Sequence, residues 1–275
     1  MTFRSVRDEN SHVIQNRYNE KSAYFECDQD LSRFLKMSDM RDLDYLHVSG
    51  ISDNMNIFGI LNRSFQIGTK TGVLSISKLS NKDCPSFRTF IRKFLSVKEI
   101  VIRHICAPLM GSEDVCSLLS SLSSLNTIEY IKIFECHNTI ILSADFVVNL
   151  LKNNPNIMYL DIGSSNIEFS ESILKEFFTM EQPHIMENEC NNNEITLALY
   201  FGGELKKIHD ILRKDLSKIE NVMKEVTSNV LFPEEYKVYV SKLDCKYCLK
   251  NRHKIMRRVV VQNYEDTCQR LDSLI

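Results

Sequence analysis

The chain has 275 residues, room for one large domain or two ordinary ones, and its 34 Lys and Arg nearly balance 36 Asp and Glu to leave a net charge of −2. That balance supplies neither a basic field for nucleic acid nor an acidic tail, and a 43% hydrophobic, 25% charged composition excludes disorder throughout. The longest apolar runs, such as FVV at 146–148 and VVV at 259–261, are too short for a transmembrane helix.

The polar N-terminus MTFRSVRDENSHVIQNRYNE predicts no secretion signal. The nine scattered cysteines are therefore expected as reduced thiols in a cytoplasmic or nuclear protein. Residues 1–42 predict an N-terminal segment, an irregular first repeat or cap in which Ala23 and Phe25 precede a helix after Asp28.

From residue 43 a pattern recurs. The form L-x-x-L-x-L-x-x-(apolar, Cys or small) appears five times: LDYLHVSGI from Leu43, TGVLSISKL from Thr71, VKEIVIRHI from Val97, IEYIKIFEC from Ile128 and IMYLDIGSS from Ile157. The starts lie 28, 26, 31 and 29 residues apart, too regular for five unrelated strands. The spacers carry helical periodicity with start signals. PSFRTFIRKFL (85–95) presents Phe87, Phe90, Ile91 and Phe94; SEDVCSLLSSLSSL opens at Ser112; SADFVVNLLKNN opens at Ser143 as an N-cap; FSESILKEFF uses Ser170. A strand–helix unit of this length cannot bury its own apolar face and must stack on copies of itself, parallel strands inside and helices outside.

These residues resemble the leucine-rich repeat family in its longer, ribonuclease-inhibitor-like subtype. The resemblance rests on IEYIKIFECHN (128–138), with Cys136 where the family bonds the turn backbone through Asn or Cys, and on NPNIMYLDIGSSNI (154–167), which is similar to repeats of F-box-type leucine-rich proteins. Ile and Val replace most Leu, and four units end in Ile51, Leu79, Ile105 and Ser165, so no regular Asn ladder forms. The resemblance implies an α/β solenoid over 43–201 and a protein-interaction role, in the F-box-type proteins that of reading substrates for a ubiquitin ligase. Nothing in 1–42 resembles the F-box helices.

Residues 181–194 are polar and rich in Asn, a loop or linker, and ITLALYF (195–201) predicts a sixth strand. The C-terminal region, 202–275, opens on a long helix pattern over 203–229, expected to cap the solenoid rather than to mediate oligomerisation, though the apolar seam admits both. EYKVYVSKL (235–243) predicts a strand, making this a helical cap or a small α+β region.

Cys245 and Cys248 then form C-x2-C, a spacing at which a tight turn aims two thiolates at one zinc ion. With His253 and Cys268 the donors suffice in number. The spacing matches no common finger, however, and there is no second close pair, so buried or free thiols rather than a zinc site are the expected reading. No cofactor is expected. Lys246, Lys250, Arg252, Lys254, Arg257 and Arg258 form a basic cluster that admits a nucleic-acid module as the alternative function, but one small patch offers few phosphate contacts, so nucleic acid is not the expected partner.

No H-E-x-x-H, G-x-S-x-G or P-loop occurs; GTKTG (68–72) precedes its strand, the wrong order for cradling phosphate, and SILK (172–175) lies in an amphipathic helix without companion motifs. The chain is not expected to be an enzyme. Between the inward aliphatic residues of each strand, alternate residues point outward and stack in columns: Tyr45, Val73, Glu99, Tyr130, Tyr159, then His47, Ser75, Val101, Lys132, Asp161. Tyr45, Arg103, Tyr130, Lys132, Phe134 and Tyr159 are the predicted contact set for a protein partner, because Tyr and Arg are enriched at interface hot spots.

Overall fold

Alternating aliphatic residues become strands at each of the five predicted places. A computed structural model describes residues 2–5, 12–15, 22–49, 57–108, 111–136, 139–164, 171–183, 194–201, 224–225, 236–248 and 253–263. They fall into two compact units, Met1–Ile128 with Lys132–Ile141, and Glu129–Ile131 with Leu142–Ile275. The fold is α/β with mostly parallel strand pairing. Among the described residues no helix is long and apolar enough to cross a membrane.

The first unit begins with β1 (Thr2–Ser5), β2 (His12–Gln15) and β3 (Ser22–Phe25), joined antiparallel in that order. The chain continues through α1 (Asp28–Met37), β4 (Asp42–Ser49), α2 (Ile57–Ser64), β5 (Thr69–Ile76), the short β6 (Leu79–Ser80), α3 (Cys84–Ile91), β7 (Phe94–Cys106), α4 (Ser112–Ser123) and β8 (Tyr130–Glu135), whose first two residues belong to the second unit. β1, β4, β5 and β7 run parallel side by side. Their register puts Leu46, Leu74 and Ile100 in one rung and Val48, Ile76 and Ile102 in the next, all with no exposed surface. Phe58 of α2 and Phe87 and Phe90 of α3 are likewise fully buried. Phe58 meets Phe87 edge-on at 5.1 Å, and Phe90 meets Phe65 at 5.2 Å. α1 packs on α2, α2 on α3 and α3 on α4, so successive helices neighbour one another. Gly72 of β5 is there for space: a Cβ would sit 2.6 Å from the Asp44 carbonyl oxygen of β4.

The second unit holds α5 (Ala144–Asn153), β9 (Tyr159–Ser164), α6 (Glu171–Thr179), β10 (Glu194–Phe201), β11 (Lys224–Glu225), β12 (Tyr236–Asp244) and β13 (Lys254–Asn263). β9, β10 and β13 are parallel, β12 is antiparallel to β13, and β11 to β12. The rungs recur: Leu160, Leu197 and Val259, then Ile162, Leu199 and Val261, all buried. α5 and α6 pack together, presenting Phe146, Val147, Leu150, Ile173 and Phe177. Ser143 caps α5 as expected, its hydroxyl accepting from the Phe146 amide at 3.2 Å.

The structure corrects several expectations. α3 ends at Ile91, and Phe94, predicted on its apolar face, starts β7 instead. β3 lies beside β2 rather than in the parallel series. Lys224–Glu225, inside the predicted helix 203–229, pair as strand with Val240 and Tyr239. The rest of that helix lies outside the described residues, as do Gly50, Ile51, Ser165, Ser170, residues 184–193, Lys250, Arg252 and Cys268. Cys106 and Cys136, expected as reduced thiols, are joined as a disulfide between Cα atoms 5.0 Å apart. ITLALYF forms β10 as expected, and β13 pairs along its far side.

Ile131 and Ile133 have no exposed surface while Lys132 between them is half-buried. Ile131→Ala is expected to cost about 2–5 kcal/mol through lost burial and a cavity, and Lys132→Ala at most about 0.5 kcal/mol, as read by urea melts. Gly72→Ala should destabilise by about 1–3 kcal/mol, because a backbone carbonyl rather than a flexible side chain must give way. A neutral Gly72→Ala variant in the same melts would show that β4 and β5 can separate freely.

Candidate functional site

The period of two along each strand that buries the rungs turns the intervening residues to the other face. Each unit carries its own part of the predicted contact set: Tyr45, Arg103, Lys132 and Phe134 belong to the first, Tyr130 and Tyr159 to the second.

In the first unit the predicted columns hold. Tyr45 aligns with Val73 and Glu99, and His47 with Ser75 and Val101. Tyr45 and Arg103 are half-buried, and Tyr45 stacks on His47 with ring centroids 6.2 Å apart. His47 Nδ1 lies 2.9 Å from the Ser75 hydroxyl, and Nε2 lies 3.5 Å from that of Ser77. Burial, followed by the positive charge of Arg103, pulls the His47 pKa down to about 4. A neutral imidazole between two serine hydroxyls at that pKa is a weak proton acceptor near neutrality.

Phe134 departs from the expectation of an exposed aromatic. It has no exposed surface, and Lys132 Nζ lies 5.0 Å from its ring centroid. The residues after β8 fold back: Glu135, also fully buried, accepts from the Ile141 amide at 2.5 Å. Outward parity therefore does not mean exposure at the end of β8. The same holds in β9, where Asp161, Gly163 and Ser164 are buried.

In the second unit Tyr130 and Tyr159 stack nearly parallel, centroids 4.9 Å apart and planes 9° apart. The strand register extends this pair into a row, Tyr159 beside Thr196 of β10 and Thr196 beside Arg258 of β13. Glu194 ties the row together, accepting from Thr196 Oγ1 at 2.7 Å and from Arg258 at 3.2 Å. Burial, then the Asp161 carboxylate, raises the pKa values of Tyr159 and Tyr200 above the usual tyrosine range, so both phenols remain neutral donors. Arg258, partly exposed, stands in the same register row as Tyr159, and Thr196 between them is buried. Alternation along β13 could have found Arg258, but the surrounding basic cluster hid it.

That cluster is not one solvated face. Arg257 is only 5% exposed, and its guanidinium donates to the carbonyls of Phe178 and Met180, where α6 ends and its last carbonyls lack helical partners. Burial brings the Arg257 pKa down to about 10, leaving it charged at neutral pH. Lys246 pairs with Glu181 and Lys254 with Asp244.

At the mouth of the β12–β13 hairpin the structure brings together three of the four predicted metal donors. The ligand atoms of Cys245, Cys248 and His253 all lie within 4.8 Å of one another. Compared with protein-family models, curated proteins and solved structures, the chain matches none.

His47 sets a pH dependence. Its folded pKa, about 4, lies below the ordinary 6.5, so the unfolded chain binds the proton more tightly. Its contribution to stability is complete above 6.5 and is lost as pH falls toward about 4. Urea melts across that window should show a loss of stability for the wild type that is smaller in His47→Gln. Equal losses would place the acid sensitivity elsewhere.

Proposed function

We propose that the chain is a non-enzymatic protein-interaction scaffold of leucine-rich-repeat type, with solenoid repeats over 43–201, that holds a protein partner on its strand face. The observation that carries the reading is the row Tyr130–Tyr159–Thr196–Arg258: two stacked, half-buried tyrosines and an arginine on adjoining strands. Rigid aromatic and guanidinium groups offer contact area at small ordering cost, the chemistry of interface hot spots. The repeat assignment is supported in the first unit by parallel β4, β5 and β7, with successive helices packed on one another. Similarity to F-box-type repeats extends the proposal to reading substrates for a ubiquitin ligase. The alternative, a nucleic-acid or zinc-binding module in the basic C-terminal segment, has less support for its nucleic-acid part, because Lys246, Lys254, Arg257 and Arg258 each engage a carboxylate or a carbonyl.

Affinity capture from the native cell, read by mass spectrometry, tests this. Tyr130→Ala with Tyr159→Ala should remove the main protein partner while the protein still melts cooperatively, lowered by the lost stack, worth about 0.5–1.5 kcal/mol beyond the area it buries. A hot-spot truncation costs about 2 kcal/mol or more, roughly a thirtyfold loss of affinity. Lys254→Ala, on an exposed side chain, should leave that partner bound. Ligase components among the captured proteins support the adaptor role. The reverse pattern, loss with Lys254→Ala alone, moves the function to the basic segment.

A further inference from the structure

We propose that Cys245, Cys248 and His253 bind one divalent cation of the zinc class, which staples the β12–β13 hairpin. The hairpin itself builds the site. Its last strand pair is Asp244 with Lys254, and the Cys245 amide then donates to the His253 carbonyl at 2.8 Å, carrying the ladder one step further. Cys245 and His253 thus face each other across the hairpin mouth, directly opposed, a placement that sets Cβ atoms about 4.5–5.5 Å apart. Three residues on, Cys248 brings its thiol back to the same point.

Donor chemistry selects the ion. Two sulfurs and an imidazole nitrogen suit zinc, whereas magnesium and calcium require oxygen ligands. In a tetrahedral zinc site, with Zn–S about 2.3 Å and Zn–N about 2.0–2.1 Å, donor atoms lie about 3.6–3.8 Å apart. The present donors, all within 4.8 Å of one another, reach that geometry by contracting about 1 Å, a side-chain adjustment. Neither cysteine is in a disulfide.

The surroundings suit a metal-bound thiolate. Cys245 is 4% exposed, so its sulfur is screened from water, while Cys248 and His253 are half-buried and give the ion a way in. Gln182 donates through Nε2 to Cys245 Sγ at 3.4 Å and accepts the Lys246 amide through Oε1 at 2.8 Å. One amide group thereby orients the sulfur and fixes the turn behind it, the outer-shell arrangement that supports metal ligands. Binding forms two metal–thiolate bonds and one metal–imidazole bond, and releases the two thiol protons to solvent. Three protein donors leave the remaining tetrahedral position to water or another ligand.

Untagged full-length protein, stripped with a chelator under reducing conditions and titrated with Co²⁺, tests the site. The expected result is about one equivalent giving thiolate-to-cobalt charge-transfer absorption and the visible bands of tetrahedral cobalt, both displaced by zinc. Gln182→Ala should weaken binding about 10–100-fold with unchanged circular dichroism, and Cys248→Ser or His253→Gln should weaken it further. Cys27→Ser, at a cysteine outside the cluster, should change nothing. Elemental analysis of untreated wild-type protein, which depends on no variant, should find about one zinc per chain. Absence of both zinc and charge-transfer bands in the wild type overturns the proposal, as do bands that survive Cys248→Ser and His253→Gln in folded protein.

Discussion

The parallel neighbours β4 and β5, β5 and β7, and β9 and β10 are each joined by a stretch of chain longer than the strand it leaves, and that sets the architecture. Joining neighbouring parallel strands requires the chain to return along one face, which is most simply done with a helix. The aliphatic rungs Leu46–Leu74–Ile100 and Leu160–Leu197–Val259 then have helices to bury against. No single rung residue closes a core on its own. Each unit gains its core only when adjoining strands and helices are in place, so burial, register and helix packing stand or fall together within it.

The face left over does different work in the two units. In the first, His47 with its serine partners, Tyr45 and Arg103 form a polar and aromatic surface resting on parallel strands. In the second, a stacked tyrosine pair continues across the strands to a carboxylate-anchored arginine. Arg257 and Arg258 show how strand parity divides the labour of two adjacent, chemically identical residues. Arg257 points inward to satisfy the end of α6, and Arg258 points outward into the tyrosine row.

Local pattern was readable wherever it alone determined structure. The five repeated segments became strands, Ser143 became a cap through a bond that depends only on its own turn, and the aligned columns of β4, β5 and β7 followed from a shared spacing. What escaped depended on distant partners. Phe94 fits a helical face as well as a strand start, and its pairing with Thr69 of β5, twenty-five residues earlier, makes it strand. Phe134 and Glu135 have outward parity, but the segment returning to Ile141 buries them. β13 was hidden because alternation of Ile255, Arg257, Val259 and Val261 places a charged residue among inward positions. Its helix-capping role is invisible without α6. Of the candidate sites, Cys245 and Cys248 announced themselves by spacing, whereas Gln182, more than sixty residues earlier, had no signal.

The first unit ends its parallel series by switching to short antiparallel strands, and the outermost of these among the described residues, β3, is four residues long. An open sheet invites a second chain to add itself at the margin, since a long free margin is a row of backbone donors and acceptors awaiting partners. Four residues point only about two of their backbone amides outward, because successive groups alternate in direction. Such a stub gives an incoming strand too little to hold. Where β1 pairs with β4, over His47–Ser49, the N-terminal strands thus replace that part of the β4 margin with one that offers fibrillar growth little foothold.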